Sequence, residues 1–314
     1  MDLLQEIVRC DIVFDMTKDI RDKANINHED VVGLNFIRSQ GAYVFRKYYN
    51  QGLRSQIMEV LDPHDLEKQS KGESRDGILY FPWARPFRML RIFRTRFDSL
   101  EDVSEEIRKL RIVEKYLPRY SYAKSEEFIV DYIRKGERDY LLCGLQEYID
   151  GEVLNPWSLT HQYYLKNIFA SMQDEGRFTS GMTTEQLIQR VRKTTENFVD
   201  SVKKMILEEN IVPDLAGVAN LLLTPAGNIK LVDINNISEV EFKAEVNLDD
   251  KKYPVCDKSI EAISMLEQHL LKRSIDMTEK IYRIFLDPQR MKAVKEIEEE
   301  FHRSMKNEEE WSPS

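Results

Sequence analysis

The chain reads as an α+β protein. Two observations predict that class. β-forming runs dominate the first 150 residues and are interrupted by one long amphipathic helix, and after Gly151 the composition turns helical with only two short apolar runs left. A third observation bounds it: 42% of the 314 residues are hydrophobic and 32% charged, ample for a core and too apolar for overall disorder. At roughly 100–200 residues per domain the length suits two domains or one two-lobed one. Residues 1–29 read as a helical extension, 30–150 as a sheet-rich first lobe and 151–314 as a mainly helical second lobe.

The elements follow in order. Leu3, Leu4, Ile7, Val8 and Ile12 have the spacing of an amphipathic helix, read over Leu3–Lys23. Val31–Ile37 and Ala42–Tyr49 are β-formers around the polar turn Arg38-Ser39-Gln40-Gly41, which predicts a hairpin. Residues 51–76 are polar and read as an excursion holding one short helix. Gly77–Phe81 and Phe87–Phe97 are strand-like, separated by Pro82 and Pro86. Ser99, with Asp102 three residues on, caps a helix whose stripe is Val103, Ile107, Leu110, Val113 and Leu117, and Pro118 ends it. Strands over Glu127–Ile133 and Tyr140–Tyr148 close the first lobe. Beyond Gly151, a helical segment over Pro156–Met172 precedes a long helix from Thr184, opened by the capping-box pair Thr183 and Gln186. Leu221–Leu223 and Ile229–Val232 flank Pro225-Ala226-Gly227-Asn228 as a second hairpin. Helical stretches near 256–272 and 277–305 finish the chain.

Composition excludes several function classes. No stretch approaches ~20 uninterrupted apolar residues, the length of a membrane span. The acidic start Met1–Glu6 lacks the features of a secretory signal, so the expected location is cytoplasmic. Three scattered cysteines and five scattered histidines show neither a disulfide framework nor zinc-ligand spacing. A net charge of −9 argues against nonspecific nucleic-acid binding. Residues 1–150 hold 25 basic and 27 acidic side chains, leaving 21 and 28 for the remainder, so the acidity sits in the second half. The one local basic band is five arginines from Arg85 to Arg96 with no acid over 77–97; it reads either as a phosphate site or as a strand paired with the acidic helix at 101–114.

Chemistry concentrates where the long helix ends. Phosphoryl transfer needs a carboxylate near the attacking hydroxyl and hard oxygen ligands for magnesium. Asp214 and Asn220 lie in the loop after the helix, and the second hairpin returns the chain to Asp233. Pro213-Asp214-Leu215-Ala216-Gly217-Val218-Ala219-Asn220-Leu221-Leu222 resembles the catalytic loop of the protein-kinase-like superfamily, particularly its small-molecule and bacterial members such as the aminoglycoside phosphotransferases. Lys230-Leu231-Val232-Asp233-Ile234-Asn235 is similar to the strand and metal-binding acid that follow, and Leu145–Gly151 to the hinge and interlobe linker. The resemblance spans roughly residues 30–240.

It implies a kinase-like two-lobed fold, with an antiparallel sheet plus one helix in the N-lobe and a mainly helical C-lobe. It further implies an ATP- and Mg-dependent phosphotransferase acting on a hydroxyl of an unidentified small-molecule or protein acceptor. Asp214 would receive the acceptor's proton, Asn220 and Asp233 would hold magnesium, and the backbone of Glu147, Tyr148 and Ile149 would meet the adenine. Glu106, or its neighbour Glu105, would pair with the phosphate-contacting cation. Ser39, Gln40 and Gly41 would stand in the phosphate loop, which has one glycine only. For the cation, Lys47 and an arginine of the Phe87–Arg94 strand, Arg91 among them, remain open. Asn235 is either an additional oxygen ligand or a turn former. The loop from Asp214 to Asn220 is one residue longer than the family's, and the strand before the helix has no lysine. Those departures keep open a catalytically silent, kinase-like module that binds nucleotide or protein. An unrelated α+β interaction protein is the third reading.

Overall fold

A computed structural model describes residues 19–34, 36–37, 41–49, 54–134, 137–177, 181–234 and 236–310. The leading helix read over Leu3–Lys23 and the turn residues Ser39 and Gln40 fall outside these, save residues 19–23, which make an extended residue and one 3₁₀ turn, Ile20–Asp22. The chain is α+β and separates into two compact units. Unit 1 takes the residues up to Arg108 with Lys124–Tyr148, and unit 2 takes Lys109–Ala123 with everything from Ile149.

Unit 1 contains strands β1 (Val44–Lys47), β2 (Ser55–Leu61), β3 (Glu73–Arg75), β4 (Ile78–Tyr80), β5 (Arg88–Phe93), β6 (Ser125–Arg134) and β7 (Glu137–Glu147), with helices α1 (His28–Val32) and α2 (Pro63–Lys71) and the first part of α3 (Leu100–Tyr116). Five strands form one antiparallel sheet in the order β1-β2-β5-β7-β6, and β3 and β4 make a separate hairpin. Alternation along each strand divides the sheet into two faces. Phe45, Met58, Leu90, Ile92, Leu141 and Cys143 share one, buried beneath Ile20, Ile26, Val31, Leu34 and Phe36. On the other, Phe93 and Leu142 pack beneath Val103 of α3, beside the buried polar residues Ser55, Glu59, Arg91 and Gln146.

The hairpin expected over 31–49 is not formed as read. Its first arm is partly helix α1, because Asn27 and Asp30 make a reciprocal capping box, each side chain accepting the other's backbone N–H at 3.0 Å. That local pairing outweighs the β-preference of Val31 and Val32. The partner of β1 is instead β2, which lies in the segment read as a polar excursion. Its polar side chains are buried with partners: Gln56 Nε2 donates to the Lys23 carbonyl at 2.6 Å, and Glu59 pairs with Arg46. Two arginines of the band are tied to the leading segment. Arg94 donates to the carbonyls of Arg21 (2.8 Å) and Lys23 (3.1 Å), and Arg96 binds Asp19 and Asp22.

Unit 2 contains β8 (Glu152–Val153), β9 (Ile211–Pro213), β10 (Leu221–Leu223), β11 (Ile229–Leu231) and β12 (Ile237–Glu239), with α4 (Tyr164–Asp174), α5 (Thr184–Glu209), α6 (Val255–Met265), α7 (Lys280–Phe285) and α8 (Pro288–Glu310). The 26-residue α5 runs through its core, burying Leu187, Val191, Phe198, Val202 and Met205, the stripe read from the sequence. The Thr183–Gln186 capping box opens it as expected. The far end of α3 contributes Val113 and Leu117 to the same core. A π turn, Leu266–Leu270, extends α6, and Pro288 divides the last predicted helical stretch into α7 and α8. Among the described residues no helix is long and apolar enough to cross a membrane.

Candidate active site

The candidate site is built where α5 stops. Asn210 takes the left-handed conformation (φ 54°, ψ 40°) that ends the helix, and β9 follows as a buried strand. It pairs with β12, Pro213 opposite Ile237, which places Asp214 beside Asn236. The Asp214 N–H donates to the Asn236 carbonyl at 2.8 Å, and the next amide, of buried Leu215, donates to Ser259 Oγ on α6 at 3.0 Å. Two successive backbone donors thus anchor the loop to different elements.

The Asp214 side chain is buried and fully engaged. Its Oδ1 accepts the amides of Ala216 (2.8 Å) and Gly217 (3.3 Å), a local Asx turn, and its Oδ2 accepts Asn236 Nδ2 at 2.5 Å. Burial pushes the carboxyl up to about 6, assisted by the negative charge of Asp233 and opposed by the donors from Ala216, Gly217 and Asn236. Desolvation and the neighbouring charge together outweigh three hydrogen bonds. The influence of Asp233 is itself geometric information, since two acids separated by 18 residues of chain must stand close to feel each other here.

Asn220 is placed by the same loop. Its Nδ2 donates to the Asp214 carbonyl at 3.0 Å and its own N–H to the Gly217 carbonyl at 3.0 Å. A Cβ on Gly217 would lie 2.6 Å from Asn220 Nδ2, so only glycine admits this amide. Val218, next to this close approach, is exposed. Beyond Asn220 the chain enters β10, which pairs with β11 as predicted, Leu221 opposite Leu231. Val232 N–H donates to the Asn220 carbonyl at 2.9 Å, which sets Asp233 one residue past Asn220's partner. Asp214, Asn220 and Asp233 are thereby brought together. With Nδ2 donating to the Asp214 carbonyl, the Asn220 side chain keeps its oxygen, a hard atom of the kind magnesium takes. No three His, Cys, Asp or Glu side chains converge as a metal site among the described residues.

The other predicted residues belong to unit 1, except Ile149, the first residue of unit 2 after the sheet. Gly41 stands in an exposed turn at φ 133°, a conformation that glycine alone adopts readily, with open space where a Cβ would be. Glu147 ends β7, its N–H donating to the Lys124 carbonyl at 2.8 Å, and Tyr148 follows it, half-buried. The two candidate cations are on opposite faces of the sheet. Lys47 pairs with Met58 and Met58 with Leu90, so Lys47 shares the face of Leu90; it is exposed and donates to Asn25 Oδ1 in the leading segment. Arg91 lies on the face that α3 covers, buried, 3.5 Å from Ser55 Oγ. Glu106 is half-buried on α3, and Glu105 is exposed beside Arg108. Asn235 falls outside the described residues.

Asn236 is the site residue that sequence reasoning passed over. The Asn235-Asn236 pair after Asp233 offers two amides, but which of the two meets Asp214 depends on the register of β12 against β9. Scanned against protein-family models and searched against curated proteins, the chain matches none.

Proposed function

We propose that the chain is an ATP- and Mg-dependent phosphotransferase of protein-kinase-like two-lobed fold, transferring the γ-phosphate to a hydroxyl. The observation that carries this reading is the placement of Asp214, Asn220 and Asp233 on one loop and hairpin, with the Asn220 amide on the Asp214 carbonyl and the charge of Asp233 felt by the buried Asp214 carboxyl. The antiparallel sheet with one long helix between its third and fourth strands supports it, as the N-lobe that the resemblance leads one to expect.

Asp214 receives the acceptor's proton. Its two oxygens are held by three donors, which orient the carboxylate before any substrate arrives and lower the cost of organising the reacting groups. Asp233 and Asn220 hold magnesium, which when bound neutralises phosphate charge. Of the two candidate cations, Arg91, and not Lys47, is the partner that the resemblance assigns to Glu106, because it shares its sheet face with the helix that carries Glu106 while Lys47 is bonded on the opposite one. The backbone beyond Glu147 meets the adenine, the Glu147 N–H itself being taken by Lys124.

The test is γ-phosphate transfer from labelled ATP with magnesium, to water or to a panel of hydroxyl acceptors. Transfer that is lost in Asp233→Asn and Asp214→Asn, with far-UV spectra unchanged, supports the reading; no transfer from the unsubstituted chain overturns it. One observation favours a second reading, a module that binds nucleotide without turnover: an arginine's planar fork stands at the buried strand position in place of a lysine's point charge. Thermal stabilisation by ATP without turnover would select that reading.

A further inference from the structure

Asp214 is fastened to the start of β12 twice, once through its backbone and once through its carboxylate, and both bonds end on Asn236. The backbone bond belongs to the β9–β12 pairing and would form with any residue at 236. The side-chain bond would not. It has a cost that makes it informative: Asn236 Oδ1 is buried and meets no donor among the described residues. A buried unsatisfied acceptor costs roughly 1–3 kcal/mol. Turning the amide over would not relieve the site, because Oδ1 would then oppose Asp214 Oδ2, acceptor against acceptor. The orientation is set by the carboxylate, and the amide gives up one hydrogen bond to keep the other.

The placement is also topological. Asn236 stands three residues beyond Asp233 in the sequence, so the residue that clamps the proton acceptor follows closely on the acid proposed to hold magnesium. Two hydrogen bonds at one residue thus tie Asp214 to the chain just beyond Asp233. Ala216 and Gly217, the other donors, lie within Asp214's own loop and hold it only locally.

Building on the phosphotransferase reading, we propose that Asn236 is a positioning residue that fixes the Asp214 carboxylate relative to the Asp233 segment through its side-chain amide. It touches neither nucleotide nor acceptor and acts through Asp214 alone.

The test uses the full chain, with Mg-ATP as the probe and phosphate release to water as the readout. Asn236→Leu keeps the backbone bond and removes the side-chain donor, while Asn236→Ser leaves a hydroxyl able to donate. For the leucine variant we expect kcat to fall about 10²-fold, the cost of a misplaced catalytic group, with KM for ATP unchanged. In the serine variant much of that loss is recovered. A merely structural role would lower stability and active fraction without this split or recovery. Leucine and serine variants with kcat equal to the unsubstituted chain, when Asp214→Asn is inactive, overturn the proposal.

A second measurement stands independent of turnover. In the nitrogen-resolved spectrum of the unsubstituted chain, one Asn236 side-chain amide proton should lie downfield and exchange slowly, and Asp214→Ala should abolish both features. An ordinary, rapidly exchanging amide refutes the clamp even if the chain is an active phosphotransferase. A protected amide in a chain that transfers no phosphate upholds the clamp and discards the enzymatic reading, so the two failures differ.

Discussion

At Asp214, burial and the charge of Asp233 pull against three hydrogen bonds and prevail, holding the carboxyl near 6. A proton acceptor must be ionised, so phosphate transfer should fall about tenfold for each pH unit below 6 and be level above it. Rates measured from pH 4.5 to 8 check this; a profile flat down to pH 5 would contradict it. Asp19 shows the reverse balance. Its burial would raise the carboxyl, yet the hydrogen bonds and charge of Arg21, with Arg96, hold it down to about 2. A lowered folded-state value means stability that is present above the unfolded value of 3.8 and is lost as pH falls toward 2. Asp19 and Arg21 are both almost completely buried, and Arg21 also binds Asp139. Arg21→Ala removes the buried cation that Asp19 and Asp139 share, leaving Asp19 only the half-exposed Arg96, and should cost about 3–5 kcal/mol in urea unfolding, whereas breaking an exposed pair such as Lys71–Glu67 should leave the midpoint nearly unchanged.

The elements owe their ends to a few polar side chains. Thr183 and Gln186 satisfy orphan amides at the start of α5, so Thr183→Ala should destabilise by about 1 kcal/mol, read as a lower denaturation midpoint at unchanged slope. The loop between β9 and β10 depends on a missing side chain instead. Gly217→Ala sets a methyl 2.6 Å from Asn220 Nδ2, and the amide must leave the Asp214 carbonyl. Transfer should drop at least tenfold while the helical spectrum is preserved; an active Gly217→Ala variant would show that Asn220 need not be held there. Such local features were legible in the residues. Caps at Ser99 and Thr183, the stripe of α5 and the hairpin of β10 and β11 each involve neighbours a few positions apart, and the structure forms all of them. Reading failed where a local cap competed with β-preference, at Asn27–Val32, and where a strand's polar residues find distant partners, as Gln56 does with Lys23.

Across the whole molecule, the two units do not divide the chain at one point. Lys109–Ala123 belongs to unit 2, where Val113, Leu117 and Tyr122 are buried with α5 and β11. A fragment beginning at Ile149 therefore lacks three core side chains, each worth roughly 1.5–3 kcal/mol of burial. That is comparable to the whole stability of a typical domain, about 5–15 kcal/mol. The fragment should show reduced helicity, bind a hydrophobic dye and lack a cooperative melt, and adding the 109–123 segment in trans should restore part of the signal. A cooperative melt of the bare fragment would refute this division of the core. Opposite-face placement is a property of the same order. Lys47 and Arg91 could not be separated from composition or spacing, because a one-residue change in register exchanges every side chain between sheet faces.

What the residue string settles alone is what neighbours settle among themselves: the α+β class, the capped helices, the hairpin after Asn220 and the order in which Asp214, Asn220 and Asp233 occur. Folding in three dimensions settles the rest. It pairs β1 with β2, sends Arg94 and Arg96 to the leading segment, turns Lys47 away from α3 and sets Asn236 against Asp214. The reason is physical: caps and helical stripes are closed by bonds a few residues long, whereas strand register and the burial of a single carboxylate are decided by many distant contacts acting at once.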